Sequence, residues 1–212
     1  MFLYFGAILN KIIEKNMFKR NKLYKKGKLQ QLFYLCYYYF KNMNIRETLL
    51  LGHSKSQSDK IVAYIGNDEK RFDELVHLFL HDDKQIVQRA AMAFGWATLQ
   101  NLPFFTKYMS EMIDYLAQKN VHDAVKRNIL RVLQEVSVAE EYEGKLTEIC
   151  FDLILKPDEP SAIKAFAMGV LTNICQKYPE LAQELCLIIR ENWEHESPAF
   201  RSRGRKILKQ FQ

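Results

Sequence analysis

The side chains able to do chemistry in this 212-residue chain are few and scattered. His77 and His81 stand four apart, so on a helix both imidazoles share a face and could hold one metal ion. Residue 78 is Leu, no glutamate lies between them, and the five histidines supply no third ligand by spacing. They read as a surface pair. Ser161 and Lys164 have the Ser-x-x-Lys spacing of a serine nucleophile and its lysine, but neither Ser-Asp-Asn nor Lys-Thr-Gly accompanies them. Ser161 after Pro160 reads as a helix N-cap. Cys36, Cys150, Cys175 and Cys186 form no Cys-x-x-Cys pair. The last three fall at apolar helical positions, where a thiol packs as a small hydrophobe, as expected of a reducing, cytoplasmic setting. There is no Gly-x-Gly-x-x-Gly and no phosphate loop. Gly95, Gly169 and Gly204 are isolated within helical runs, where each costs about 1 kcal/mol against Ala and close helix approach is the expected compensation. The expectation is a non-enzymatic protein with no catalytic residue, cofactor or metal.

The elements that carry these residues repeat. Val87-Gln88-Arg89-Ala90-Ala91, Val125-Lys126-Arg127-Asn128-Ile129 and Ile163-Lys164-Ala165-Phe166-Ala167 align without gaps, and Phe200-Arg201-Ser202-Arg203-Gly204 follows more loosely. The anchors Val87, Val125, Ile163 and Phe200 are 38, 38 and 37 residues apart. Four residues on stand Ala91, Ile129, Ala167 and Gly204; seven on stand Phe94, Val132, Val170 and Ile207. Offsets of 0, 4 and 7 share one helical face. An apolar stripe of helical spacing precedes each anchor, the first being Phe72, Leu75, Val76 and Phe79. Pro103, Pro179 and Pro198 suit first-turn positions, and Ser197 suits an N-cap. The chain is therefore expected to be all-α. The expected architecture is a right-handed α-solenoid of about four helix pairs, each with an outer and an inner helix, after a short helical cap near Ile45 to Ile65.

Residues 1–42 differ from this body. They hold nine basic residues and a single acid, Glu14, for a net charge of +8, and are rich in Phe, Tyr, Ile, Asn and Lys. Their apolar stretches fall short of the ~20 residues that span a bilayer. Two readings stand: a basic, aromatic segment on a membrane surface, or an upstream stretch translated from a wrong start, with Met43 the true one. No membrane association is expected unless the leader is native. The solenoid domain is expected over 43–212.

Asp123-Ala124-Val125-Lys126-Arg127 resembles the start of the inner helix in HEAT-repeat proteins, which opens with an aspartate, a Val-Arg pair and small residues. The run Val121 to Leu133 and the segment Ala162 to Met168 are similar to short bacterial HEAT-like proteins, some of which carry the name adenylosuccinate lyase. The lyase signature Ser-Ser-x-Met-Pro-x-Lys-x-Asn is missing, with no Met-Pro pair anywhere. The resemblance implies an armadillo-like helical scaffold that binds proteins.

Charge then separates by layer. The formal net charge is +6, but residues 43–212 carry −2. Outer helices taken as 67–81, 104–118, 139–156 and 179–195 carry −9 together; inner helices taken as 84–100, 122–138, 161–177 and 198–211 carry +10. A concave face lined by inner helices would collect this charge. Gln88, Lys126, Lys164 and Arg201 form a column one residue past the anchors, with Arg89, Arg127, Arg131, Arg205 and Lys206 further along and Trp96 on the first inner helix. Stacked charge of one sign in a concavity attracts an anionic partner. The other reading is a structural ladder, in which Lys126 and Lys164 at inner-helix starts bridge acids of neighbouring repeats; it accounts less well for the C-terminal cluster of Arg201, Arg203, Arg205, Lys206 and Lys209, which outruns the nearby acids. The expected partner is an acidic protein or peptide. The alternative is nucleic acid, in the manner of HEAT-like alkylpurine DNA glycosylases, for which Trp96, Asp123 and Arg127 are the groove candidates.

Overall fold

The structure, a computed structural model, describes residues 43–211. The leader and the readings attached to it lie outside the described residues. Within them the chain is helical and contains no strand.

Local signals start most helices. Asn44 accepts from the Glu47 N–H to open α1 (Ile45–Leu50), and Ser54 accepts from Gln57 to open α2 (Lys55–Ile65). Asp68 caps α3 (Glu69–His81), and Asp83 accepts from both Gln85 and Ile86 to open α4 (Lys84–Gln100). The next outer helix is broken: α5 (Leu102–Phe105) passes through a 3₁₀ turn (Thr106–Tyr108) into α6 (Met109–Leu116). The His122 ring caps α7 (Asp123–Leu133), followed by α8 (Glu140–Leu155), α9 (Ser161–Cys175), α10 (Pro179–Glu191) and α11 (Pro198–Phe211). Pro179 and Pro198 occupy first helical positions as expected, and Ser197 Oγ accepts from the Phe200 N–H. Ser161 does not cap its helix. It is already the first helical residue, and Pro160, with φ −55° and ψ 135°, holds the cap position without a side-chain bond.

The anchors, their +4 partners and their +7 partners are all buried. Phe72, Phe79, Phe94, Phe105 and Phe200 are fully enclosed, and the Phe79 and Phe94 rings stack at 4.2 Å between α3 and α4. Each outer helix packs on its own inner partner: α3 on α4, α6 on α7, α8 on α9, α10 on α11. The inner helices α2, α4, α7, α9 and α11 form one continuous row, each packed on the next. The segment expected as a cap is thus a short helix pair that extends the row. The result is a helix-pair solenoid with one core along its length. No helix among the described residues is long and apolar enough to cross a membrane.

Glycine sets the spacing of the row. A Cβ on Gly95 of α4 would lie 2.7 Å from Asn128 Oδ1 of α7, and one on Gly169 of α9 would lie 2.6 Å from Gln134 Oε1. On Gly204 of α11 it would meet Ile189 of α10 at 2.8 Å. Close approach is the compensation for their helical cost.

Candidate functional site

Adjacent repeats are sewn together by side chains about one period apart. On the outer side, Lys107 in the 3₁₀ turn pairs with Glu69 at 2.7 Å and Asp73 at 2.8 Å of α3. The break in that helix turns Lys107 and Tyr108 toward α3, where the Tyr108 hydroxyl donates to Asp73. Burial first, then this carboxylate, raises the Tyr108 phenol to about 12. Lys145 pairs with Asp114 at 2.6 Å, and Lys177 with the buried Glu143. Arg46 of α1 grips Asp82 and Asp83 before α4, and its hydrogen bond holds Asp82 well below the usual carboxylate range.

The same sewing accounts for much of the expected basic column. Lys126 is buried, pairs with Glu159 in the linker before α9, and lies 3.2 Å from Asp123. Lys156 holds the other oxygen of Glu159 at 3.0 Å. Lys164 is buried and pairs with Glu196 before α11. Neither lysine therefore offers free charge to a groove. The physical reason is the seam. A lysine one residue past a buried anchor lays its stem between repeats, and its ammonium is stable there only against a carboxylate. Arg89 is half-buried and donates at 3.0 Å to the carbonyls of Leu49 and Leu50, closing the C-terminal end of α1. Arg201 is half-buried, 3.4 Å from the Trp193 carbonyl.

Other expected residues remain available. Trp96 is 38% exposed, and the Arg131 guanidinium lies 4.1 Å over its ring across the α4–α7 seam. Gln88, Arg127, Arg205 and Lys206 are exposed. The Arg205 guanidinium lies 5.9 Å from the Trp193 ring centre, while Arg127 and Lys206 have neither an acid nor a hydrogen-bond partner among the described residues. Arg203 of α11 reaches to within 3.4 Å of Gln134 at the C-cap of α7.

Depressions mark the surface of the described residues. One, of about 240 Å³, opens between the starts of α4 and α7 and is lined by His53, Gln88, Met92, His122, Asp123 and Arg127, with Ala91 and Ala124 beneath. His53, Met92 and His122 had no motif to announce them. Another, of about 470 Å³ on the outer layer, includes His77, His81 and Glu111. The two rings are 5.1 Å apart, and His81 Nε2 is 3.0 Å from Glu111. No group of three His, Cys, Asp or Glu side chains among the described residues could hold a metal ion. Lys164 stands in an ion pair with Glu196.

Gln88, Met92 and Trp96 succeed one another at four-residue steps along α4, and Arg127 and Arg131 do so along α7. The two rows face a shared furrow about 12 Å long at 1.5 Å per residue. A guanidinium stacked on an indole keeps its in-plane donors free for carboxylates.

No curated protein and no solved structure matches the chain. The family model described as a HEAT repeat domain matches residues 45–211. Helix-pair arrays of this kind generally serve as scaffolds for protein–protein interaction, because stacking the repeats leaves a long surface uncovered. In its helix pairs, its unbroken inner row and the length of that match, the chain belongs to the HEAT-repeat family.

Proposed function

We propose that this protein is a non-catalytic docking scaffold that holds an acidic segment of a partner protein along its inner row, centred on the furrow between α4 and α7. One observation carries the reading. Lys107 and Lys145 of the outer layer are tied to acids of the neighbouring repeat, whereas Arg127 and Arg131 have no acidic partner and stand beside an exposed indole. The basic face expected from the sequence has moved from Lys126 and Lys164 to this pair, with Arg205 and Lys206 further along. Buried free thiols at Cys150, Cys175 and Cys186 support a reducing, cytoplasmic setting.

The test is fluorescence anisotropy with a labelled peptide alternating glutamate and leucine, set against its glutamine counterpart. The acidic peptide is expected to bind, and Trp96→Ala and Arg131→Glu are each expected to weaken it about tenfold, as truncating an anchor does. Equal binding by the variants, or by the glutamine peptide, overturns the reading. So does preferential binding of duplex DNA with a steep salt slope.

A further inference from the structure

The rungs of the inner ladder share one geometry, and one rung is missing. Lys126 of α7 reaches Glu159, 33 residues on, just before α9; Lys164 of α9 reaches Glu196, 32 residues on, just before α11. The same construction on α4 would need a lysine at 88 and an acid near 121. The chain has Gln88 and Val121 there, which cannot form an ion pair. The site of the absent rung is the depression of about 240 Å³ between α4 and α7.

The walls of that depression suit the group the rung lacks. Arg127 presents a guanidinium with no acidic partner. The Gln88 amide lies on the opposite wall. His122 uses Nδ1 to accept from the Ala124 N–H, leaving Nε2 for another partner. His53 borders the mouth, and Met92 and Ala91 supply apolar contact. We infer that this depression is a carboxylate pocket, in which an aspartate or glutamate side chain of the docked partner completes the missing rung against Arg127, with Gln88 and His122 donating to it. This inference rests on the docking reading for its biological ligand and names the residue type at one point of the footprint. A forked guanidinium pairs with both carboxylate oxygens, and the methylene stem would lie on Met92. Asp123 stands on the rim with its charge shared with Lys126. That second negative charge opposes a dianionic phosphoryl group more than a carboxylate.

The pocket can be tested without knowing the partner. N-acetyl-glutamate N-methylamide is titrated into the full-length protein, with the glutamine and phosphoserine analogues alongside, and followed by NMR at the Arg127 Nε–H and the Ala124 amide. Saturable shifts with the glutamate compound alone are expected. Arg127→Gln, an exposed change, should weaken them about tenfold. The double change Gln88→Lys with Val121→Glu should abolish them by filling the rung from within. Shifts that persist in Arg127→Gln, equal shifts with the glutamine compound, tighter binding of the phosphoserine compound, or no shifts at all overturn the pocket. The peptide assay separates the two levels. A peptide that responds to Trp96→Ala but not to Arg127→Gln leaves the docking reading standing and sinks the pocket. Glutamate shifts without peptide binding do the reverse.

Discussion

Replacing Lys126 with methionine would leave Glu159 with only Lys156 to answer it, and the Glu159 side chain is 1% exposed. Breaking a buried pair from one side costs about 3–5 kcal/mol when the remaining charge is uncompensated, and Lys156 holds the cost toward the lower end of that range. The expected result is a loss of about 3 kcal/mol for Lys126→Met in urea unfolding, and a smaller loss for the double variant Lys126→Met with Glu159→Met. A double-mutant cycle reads the difference. A double variant as unstable as the single one would mean the cost lies in packing of the lysine stem. Part of this was legible in the sequence. The column of Gln88, Lys126, Lys164 and Arg201 stands out at the anchor spacing, but a column does not say which way its tips point. The missing clue was the acid on the other side of the seam. Glu159 and Glu196 sit in linkers, outside any helical stripe, so the apolar pattern does not mark them, although each stands four residues before an anchor. His53 and His122 escaped notice for a similar reason: one lies between α1 and α2, the other at a cap, and neither belongs to a motif.

At the scale of helices, the anchors and their partners at +4 and +7 were readable because burial on one face of a helix is a strict constraint, and the structure buries every one. The interruption between α5 and α6 was not readable. It coincides with the contacts of Lys107 and Tyr108 to Asp73, 34 and 35 residues away in sequence, which no local pattern marks. The three inner-row glycines give a prediction that separates propensity from packing. Alanine is about 1 kcal/mol better than glycine inside a helix. At Gly169 the obstructing atom is the tip of Gln134, which can swing aside, so Gly169→Ala is expected to be neutral or to raise the melting temperature. At Gly204 the new methyl meets Ile189 at 2.8 Å and Trp193 at 3.3 Å, both packed against the core. Overpacking there costs about 1–3 kcal/mol and outweighs propensity. Calorimetry of the two variants should therefore give shifts of opposite sign, or a neutral value against a fall. A rise at Gly204 would show that α10 and α11 part easily.

For the whole molecule, acid and salt act on different sets of charges. The ammonium of Lys177 holds the Glu143 carboxyl below its ordinary value of 4.5, with burial opposing and the Tyr178 hydroxyl assisting; Arg46 does the same for Asp82. A carboxyl whose folded value is depressed adds stability that is complete above its unfolded value and disappears as pH falls through the folded one. The urea midpoint is thus expected to hold from about pH 7 to about pH 5 and then to fall, with Glu143→Gln starting lower and falling less. Parallel curves would remove Glu143 as a source of acid sensitivity. Salt should discriminate differently. Raising ionic strength from about 0.05 M to about 0.5 M shortens the screening length from roughly 14 Å to roughly 4 Å. Lys126, Lys164, Glu143 and Glu159 are buried, so the rungs that join the repeats are screened little. Arg127 faces water in no ion pair, and any attraction it exerts on a partner crosses solvent. Across that salt range the urea midpoint is expected to stay nearly level, while the affinity for the acidic peptide falls about tenfold or more. If stability and affinity fell together, the charges that join the repeats and the charges that meet the partner would be the same set. The division between a sewn seam and an open furrow would then fail.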